Sequence, residues 1–172
     1  QWIKNIFIFA PLVFDKKLTD THALLITTAG AVLFSLVASS VYLFNDISDV
    51  EADRQHPRKK LRPIASGELP IPVARASAIV LIIVSLGLAF FISPAFFLVC
   101  LIYFTLNISY SLWLKHIVIL DVLLLSSFYV IRVVAGVALI DVERFSPWLY
   151  MAATSVALLM GCLLYTSPSP RD

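Results

Sequence analysis

Three stretches of this sequence carry no formally charged residue: 22–44 (with His22 neutral), 76–114 and 145–165. A helix needs about 20 apolar residues to cross the hydrocarbon core of a bilayer, and each run is long enough. Backbone N–H and C=O groups in lipid must be paired within the protein, which leaves helices or closed barrels. The residue-by-residue alternation of a barrel strand is absent. The second run is too long for one crossing, and "ISPAFF" at 92–97 divides it. Pro94 lacks a helix donor and favours a turn there. Composition points the same way. Hydrophobic residues make up 60% of the chain and charged residues 14%, against roughly a quarter charged in an average soluble domain. The pattern therefore predicts an all-α, polytopic transmembrane helix bundle. It has a partial helix over 3–14 and helices near 22–45, 74–92, 95–113, 117–140 and 147–165.

Both termini carry signals of their own. The chain opens on "QWIKNIF" without a starting methionine, so the natural N-terminus is expected to lie upstream. The last eleven residues, "CLLYTSPSPRD", turn abruptly to Ser, Pro and charge. They resemble the conceptual translation of a transposase adapter used in short-read DNA library preparation. On that reading native sequence stops at about Gly161, with 1–161 a partial transmembrane domain and 162–172 a non-native tail. The alternative is a Pro-rich cytoplasmic tail. Cys100 and Cys162 give neither a disulfide framework nor metal-ligand spacing.

Against this apolar background, "NDISDVEADRQHPRKKLRP" at 45–63 gathers nine of the 24 formal charges into nineteen residues. Counted along alternating crossings, one side of the membrane holds Lys4, Arg54, Arg58, Lys59, Lys60, Arg62, Arg75 and Lys115. The other holds Lys16, Lys17 and Arg144. The excess of Lys and Arg places the charged run in the cytoplasm.

Asp46, Asp49 and Asp53 stand at i, i+3 and i+7, so at 3.6 residues per turn they share a helix face. Asn45, four residues before Asp49, lies beside them, while Glu51 points away. Carboxylate and amide oxygens are hard ligands. Mg²⁺ takes one or two carboxylates, keeps several waters and completes its shell with substrate phosphates. Three acids suit two Mg²⁺ ions on a diphosphate, or one ion plus a residue that orients the ligand. Pro57 then favours a turn, leaving Lys59 and Arg62 available to anionic oxygens. Arg offers a planar fork and Lys a mobile point charge. A solvated basic loop is the plainer reading, but it gives no reason for the alignment of Asn45, Asp46, Asp49 and Asp53.

"NDISDVEAD" fits the N-D-x-x-D-x-x-x-D motif of the UbiA superfamily of intramembrane prenyltransferases. "QWIKNIFIFAPLVF", "DRQHPRKKLRPIASG" and "YSLWLKHIVILDVLLLSSFYVIRVVAGVAL" follow that superfamily further, and resemble its decaprenyl-phosphate phosphoribosyltransferase branch. The resemblance implies a bundle of about nine crossings, of which five or six are present here. It implies a transferase that moves 5-phosphoribosyl from phosphoribosyl pyrophosphate to a polyprenyl phosphate. Pyrophosphate leaves, and the product serves cell wall biosynthesis. It further implies a bacterial plasma-membrane location, Asp46, Asp49 and Asp53 as Mg²⁺ residues supported by Asn45, and Lys59 and Arg62 on phosphate. The superfamily's second aspartate-rich motif is not found after Asp121, so this stretch alone is expected to be inactive. No nucleic-acid partner is implied, and the oligomeric state stays open.

Lys115, Asp121 and Arg132 interrupt the fifth helical region, where ionised groups are costly and face an interior or cavity. Substrate contact competes with snorkelling for Lys115 and with buried pairing for Asp121 and Arg132. Lys4, in the "QW-x-KN" block, is read either as a phosphate contact or as an interfacial anchor. His56 precedes Pro57 and is expected to shape the turn. Gly136 is expected to be a close helix contact. Two other functions compete with phosphoribosyl transfer. One is a prenyltransferase with a prenyl diphosphate donor and an aromatic or other acceptor. The other is a cation transporter, which would place its acids near the midplane rather than at a helix end followed by bases.

Overall fold

The computed structural model describes residues 2–112 and 118–140, with positions 147, 150, 151, 154–156, 158 and 159 beyond them. The side chains of 112, 118–123 and 125 lie outside the description, as do the expected tail 162–172 and most of the helix expected over 147–165. Among the described residues every regular element is helical. A 3-10 helix spans Trp2–Phe9 and runs into α1 (Ala10–Phe14). It is followed by α2 (Thr21–Ser48), α3 (Val50–Gln55), a 3-10 turn (Lys59–Leu61), α4 (Pro63–Ser66), α5 (Ile71–Ile92), α6 (Pro94–Leu112) and α7 (Val118–Val137).

Three of these, Thr21–Ser48, Ile71–Ile92 and Pro94–Ser111, are long and apolar enough to cross a membrane. Their burial differs: half of the apolar stretch of α2 is covered by protein, against 17% in α5 and 28% in α6. Helix α2 is therefore the centre of the bundle, packed by α5, α6 and the N-terminal 3-10 helix, while α7 closes against α6 and that same 3-10 helix. Phe34, Val37 and Val41 of α2 meet Ile8, Leu12, Phe96, Cys100, Tyr103 and Phe128 in the core. The outer faces remain oily, with Phe91 85% and Ile83 64% exposed. Apolar residues on both faces are what a lipid solvent calls for.

Lipid supplies no hydrophobic push between helices, so close packing of small residues matters more. The buried face of α5 is Ala74, Ala78, Ile82, Ser85 and Ala89. Its close approach lets Ser40 Oγ donate to Ala78 O at 2.8 Å. Hydroxyls within crossings otherwise turn back on their own helix, as Thr27 does to Ala23 O at 2.7 Å. Gly136 is the tightest contact. A Cβ there would run into the backbone carbonyl of Ile8, so α7 and the N-terminal segment touch backbone to backbone.

The turn expected at "ISPAFF" is present. Ser93 is extended (φ −158°, ψ 124°), as a residue before proline prefers. Its hydroxyl accepts from Phe96 N–H at 3.3 Å and donates to Ala138 O at 3.0 Å, capping α6 and tying the turn to the end of α7. Asp20 caps α2 by accepting from His22 N–H (2.9 Å) and Ala23 N–H (3.2 Å). The segment expected as a partial helix over 3–14 is helical, but the stretch Trp2–Phe9 is 3-10. Pro11 has no N–H to return to Phe7, and this weakens the α ladder just upstream.

Candidate functional site

The charged run sits at the end of the bundle where α2 leaves the core. Asp49 stands between α2 and α3 (φ −96°, ψ 6°). The ladder nevertheless continues through it: Asp49 N–H donates to Asn45 O at 2.9 Å and Asp53 N–H to Asp49 O at 2.8 Å. The helical phase is kept, so residues seven apart still face the same way.

One side chain demonstrates it. Arg62 Nη1 donates to Asp46 Oδ1 and to Asp53 Oδ2, both at 2.8 Å. Lys59 Nζ stands 3.9 Å from Asp53 Oδ1. The Asp53 side chain is only 3% exposed, while those of Arg62 and Lys59 are 41% and 45% exposed. Asp53 is thus the buried floor of the cluster, with Asp46 (32% exposed) and the two bases toward solvent. Glu51 turns outward, as expected, to pair with Arg54 at 3.1 Å.

The loop that carries the bases is built, not slack. His56 Nδ1 accepts from the N–H groups of Arg58 (3.1 Å) and Lys59 (3.2 Å), which fixes the turn at Pro57. Arg62 N–H bonds Lys59 O at 2.9 Å, and Arg62 O accepts from Ser66 N–H at 2.8 Å. Ile64 packs with Val50 and Ala74 in a small satellite core. Gly67, in the left-handed region at φ 86°, ends α4 and returns the chain to α5.

A hard divalent cation fits this donor set. Two carboxylates already converge on one cationic nitrogen, which stands in for an ion. Asn45 Oδ1, next in sequence to Asp46, is buried without a hydrogen-bond partner. Two carboxylates are what Mg²⁺ asks of a protein when water and substrate phosphates supply the remainder. Among the described residues no three His, Cys, Asp or Glu side chains converge on one point.

The other expected residues lie elsewhere. Lys4 Nζ is 5.8 Å from the centroid of the Tyr129 ring, on the N-terminal segment that runs antiparallel to α2. Lys115 lies outside the described residues. Asp121 falls in the first turns of α7, with its side chain outside the description.

Arg132 is 3% exposed in the middle of the bundle. It donates to Asn5 Oδ1 (2.9 Å), Phe128 O (2.6 Å) and Tyr103 Oη (3.3 Å). Its guanidinium carbon lies 5.4–5.8 Å from the rings of Tyr103, Tyr129 and Phe34. Asn5 Nδ2 extends the network to Ser35 Oγ at 2.7 Å. Sequence reading missed Asn5, Ser35 and Tyr103 as partners. The available signal was a lone amide and a lone phenol on apolar helical stretches, where a buried polar group needs a partner.

Comparison with known proteins agrees with this architecture. The sequence model of the UbiA prenyltransferase family matches residues 6–169, a range that overlaps the segment 162–172 discussed above. A decaprenyl-phosphate phosphoribosyltransferase of Corynebacterium glutamicum is 38% identical over 165 residues, covering 94% of this chain and 49% of that protein. The protein of the same name from Mycobacterium tuberculosis is 38% identical over 167 residues, covering 94% of this chain and 55% of that protein. An uncharacterized protein of Sinorhizobium fredii, y4nM, is 37% identical over 87% of this chain and 29% of its own length. The chain thus spans about half the length of the two named transferases and less of the third relative. An all-helical membrane bundle, an acid–base cluster at one end of its central helix and a match over most of the sequence lead to one assignment: the chain belongs to the UbiA prenyltransferase family.

Proposed function

We propose that the full-length protein transfers 5-phosphoribosyl from phosphoribosyl pyrophosphate to a polyprenyl phosphate of the decaprenyl type. The observation that carries this reading is the joining of Asp46 and Asp53 by Arg62, with Lys59 beside Asp53. The names of the Corynebacterium and Mycobacterium relatives supply the substrate class.

Asp46, Asp49 and Asp53, with Asn45, are the residues that would hold Mg²⁺. Bound there, the ion would supply electrostatic stabilisation to the departing pyrophosphate. Lys59 and Arg62 bind phosphoryl oxygens by charge-assisted hydrogen bonds. Lys4, Lys115 and Asp121 complete the proposed substrate-binding set from the N-terminal segment, the α6–α7 region and α7, whereas Arg132, buried and bonded to Asn5, Phe128 and Tyr103, holds the bundle together rather than touching substrate. The lipid phosphate is already ionised, so no protein base is required. Its oxygen bonds the anomeric carbon, the bond from that carbon to the diphosphate breaks, and the electron pair leaves with pyrophosphate. The protein's work is to orient donor and acceptor and to favour the leaving charge. The excess of basic residues at this end supports a cytoplasm-facing site in a bacterial plasma membrane.

The test is transfer of labelled ribose 5-phosphate to decaprenyl phosphate in membranes containing the full-length protein. Asp49→Asn is expected to lower Mg²⁺-dependent transfer by about a hundredfold or more. Full activity in that variant, or in excess chelator, would overturn the metal assignment. Transfer from prenyl diphosphate to an aromatic acceptor, with none from the ribosyl donor, would replace the substrate assignment and leave the fold untouched.

A further inference from the structure

We infer that Arg62 is a placeholder cation: its guanidinium holds Asp46 and Asp53 in the ligand-free protein and is exchanged for the metal ion when the site loads. The inference rests on the reading that these carboxylates bind the metal, and adds that metal and Arg62 exclude each other.

The geometry carries it in three steps. First, a single nitrogen, Arg62 Nη1, is 2.8 Å from one oxygen of each carboxylate. A divalent ion bound to those oxygens would stand within a few ångströms of the positively charged guanidinium. Like charges at such range repel strongly.

Second, the floor of the cluster needs a cation at all times. The Asp53 side chain is 3% exposed, and an ionised carboxylate so buried is costly without a partner. Lys59, at 3.9 Å from the other Asp53 oxygen, is too distant for a hydrogen bond. Arg62 is therefore the main counter-charge until another arrives.

Third, Arg62 can leave without unfolding its loop. Its side chain is 41% exposed, so a path to solvent is open. Its backbone stays fixed by the bonds to Lys59 O and from Ser66 N–H and by the packing of Ile64 next in sequence. The exchange is a side-chain rotation about an anchored Cα. The released fork then faces the solvent side of the cluster, from which an anionic diphosphate approaches. One residue thereby keeps the acids apart from adventitious metal, holds them in register, and becomes available to phosphate as the metal binds.

The inference is tested on the full-length protein in detergent micelles, using Mn²⁺ as the metal probe. Free Mn²⁺ is followed by electron paramagnetic resonance with no donor present. Arg62→Gln removes the charge at similar length and is expected to bind Mn²⁺ on the order of tenfold more tightly than the unmodified protein. With Mg²⁺ present, the same variant is expected to bind pyrophosphate more weakly. Arg54→Gln, whose charge pairs with Glu51 outside the cluster, serves as the control and leaves Mn²⁺ affinity unchanged. Should Arg62→Gln not stay folded, Arg62→Met carries the test: it removes the charge and both donated hydrogen bonds while keeping an unbranched side chain, so Mn²⁺ affinity rises in it too. Equal or weaker Mn²⁺ binding in the folded variants would overturn the placeholder role while leaving the metal assignment standing. No Mn²⁺ binding in either the variants or the unmodified protein would overturn both.

Discussion

Two arginines in this bundle solve the same electrostatic problem in opposite ways. Arg62 stands at the rim and is balanced by two carboxylates. Arg132 stands in the middle and is balanced, among the described residues, by an amide, a carbonyl, a phenol and three ring faces. The first arrangement is charge against charge with solvent alongside, so an ionic ligand can compete for either partner. The second is a charge spread over neutral dipoles and π-faces inside an apolar core, with its bonds spent on three segments of the chain.

The contrast yields predictions of decreasing size. Arg132→Ala leaves Asn5 Oδ1 and Tyr103 Oη without their buried partner and opens a cavity between α6, α7 and the N-terminal segment. The expected cost is about 3–5 kcal/mol, read as a lowered unfolding temperature of the full-length protein in detergent. A variant that unfolds like the unmodified protein would show that the network holds nothing together. Gly136→Ala pushes a methyl group into the Ile8 carbonyl where α7 meets the 3-10 helix. It is expected to cost roughly 1–3 kcal/mol in the same assay, because backbone cannot step aside as a side chain can. Unchanged stability there would mean that the two segments are less tightly apposed than the structure has them.

Much of the architecture was legible in the chain. Uncharged runs of crossing length locate α2, α5 and α6, and Pro94 with Ser93 marks the turn between the last two. The shared face of Asp46 and Asp53 follows from helical spacing alone, and one guanidinium bonds both. His56 was expected to shape its turn and does so through two backbone bonds. Gly136 was expected to be a close helix contact and is one.

What the sequence did not contain was the pairing made after the chain turns back. Charge type assigned Arg62 to phosphate; only the packed loop from Pro57 to Ser66 brings it over the acids. The partners of Arg132 are farther still, with Asn5 127 positions away. No local period encodes such a contact. The 3-10 form of the first segment was also hidden, since apolar spacing alone does not separate it from an α-helix.

The most direct test of the cluster as a metal–diphosphate site is binding of Mn²⁺ and pyrophosphate together to the full-length protein. Unmodified protein is compared with the Asp46→Asn, Asp53→Asn double variant by electron paramagnetic resonance. The account predicts a bound Mn²⁺–pyrophosphate signal in the first and its loss in the second, with both proteins folded. An equal signal in the double variant would place the metal–diphosphate site somewhere other than the charged end of α2.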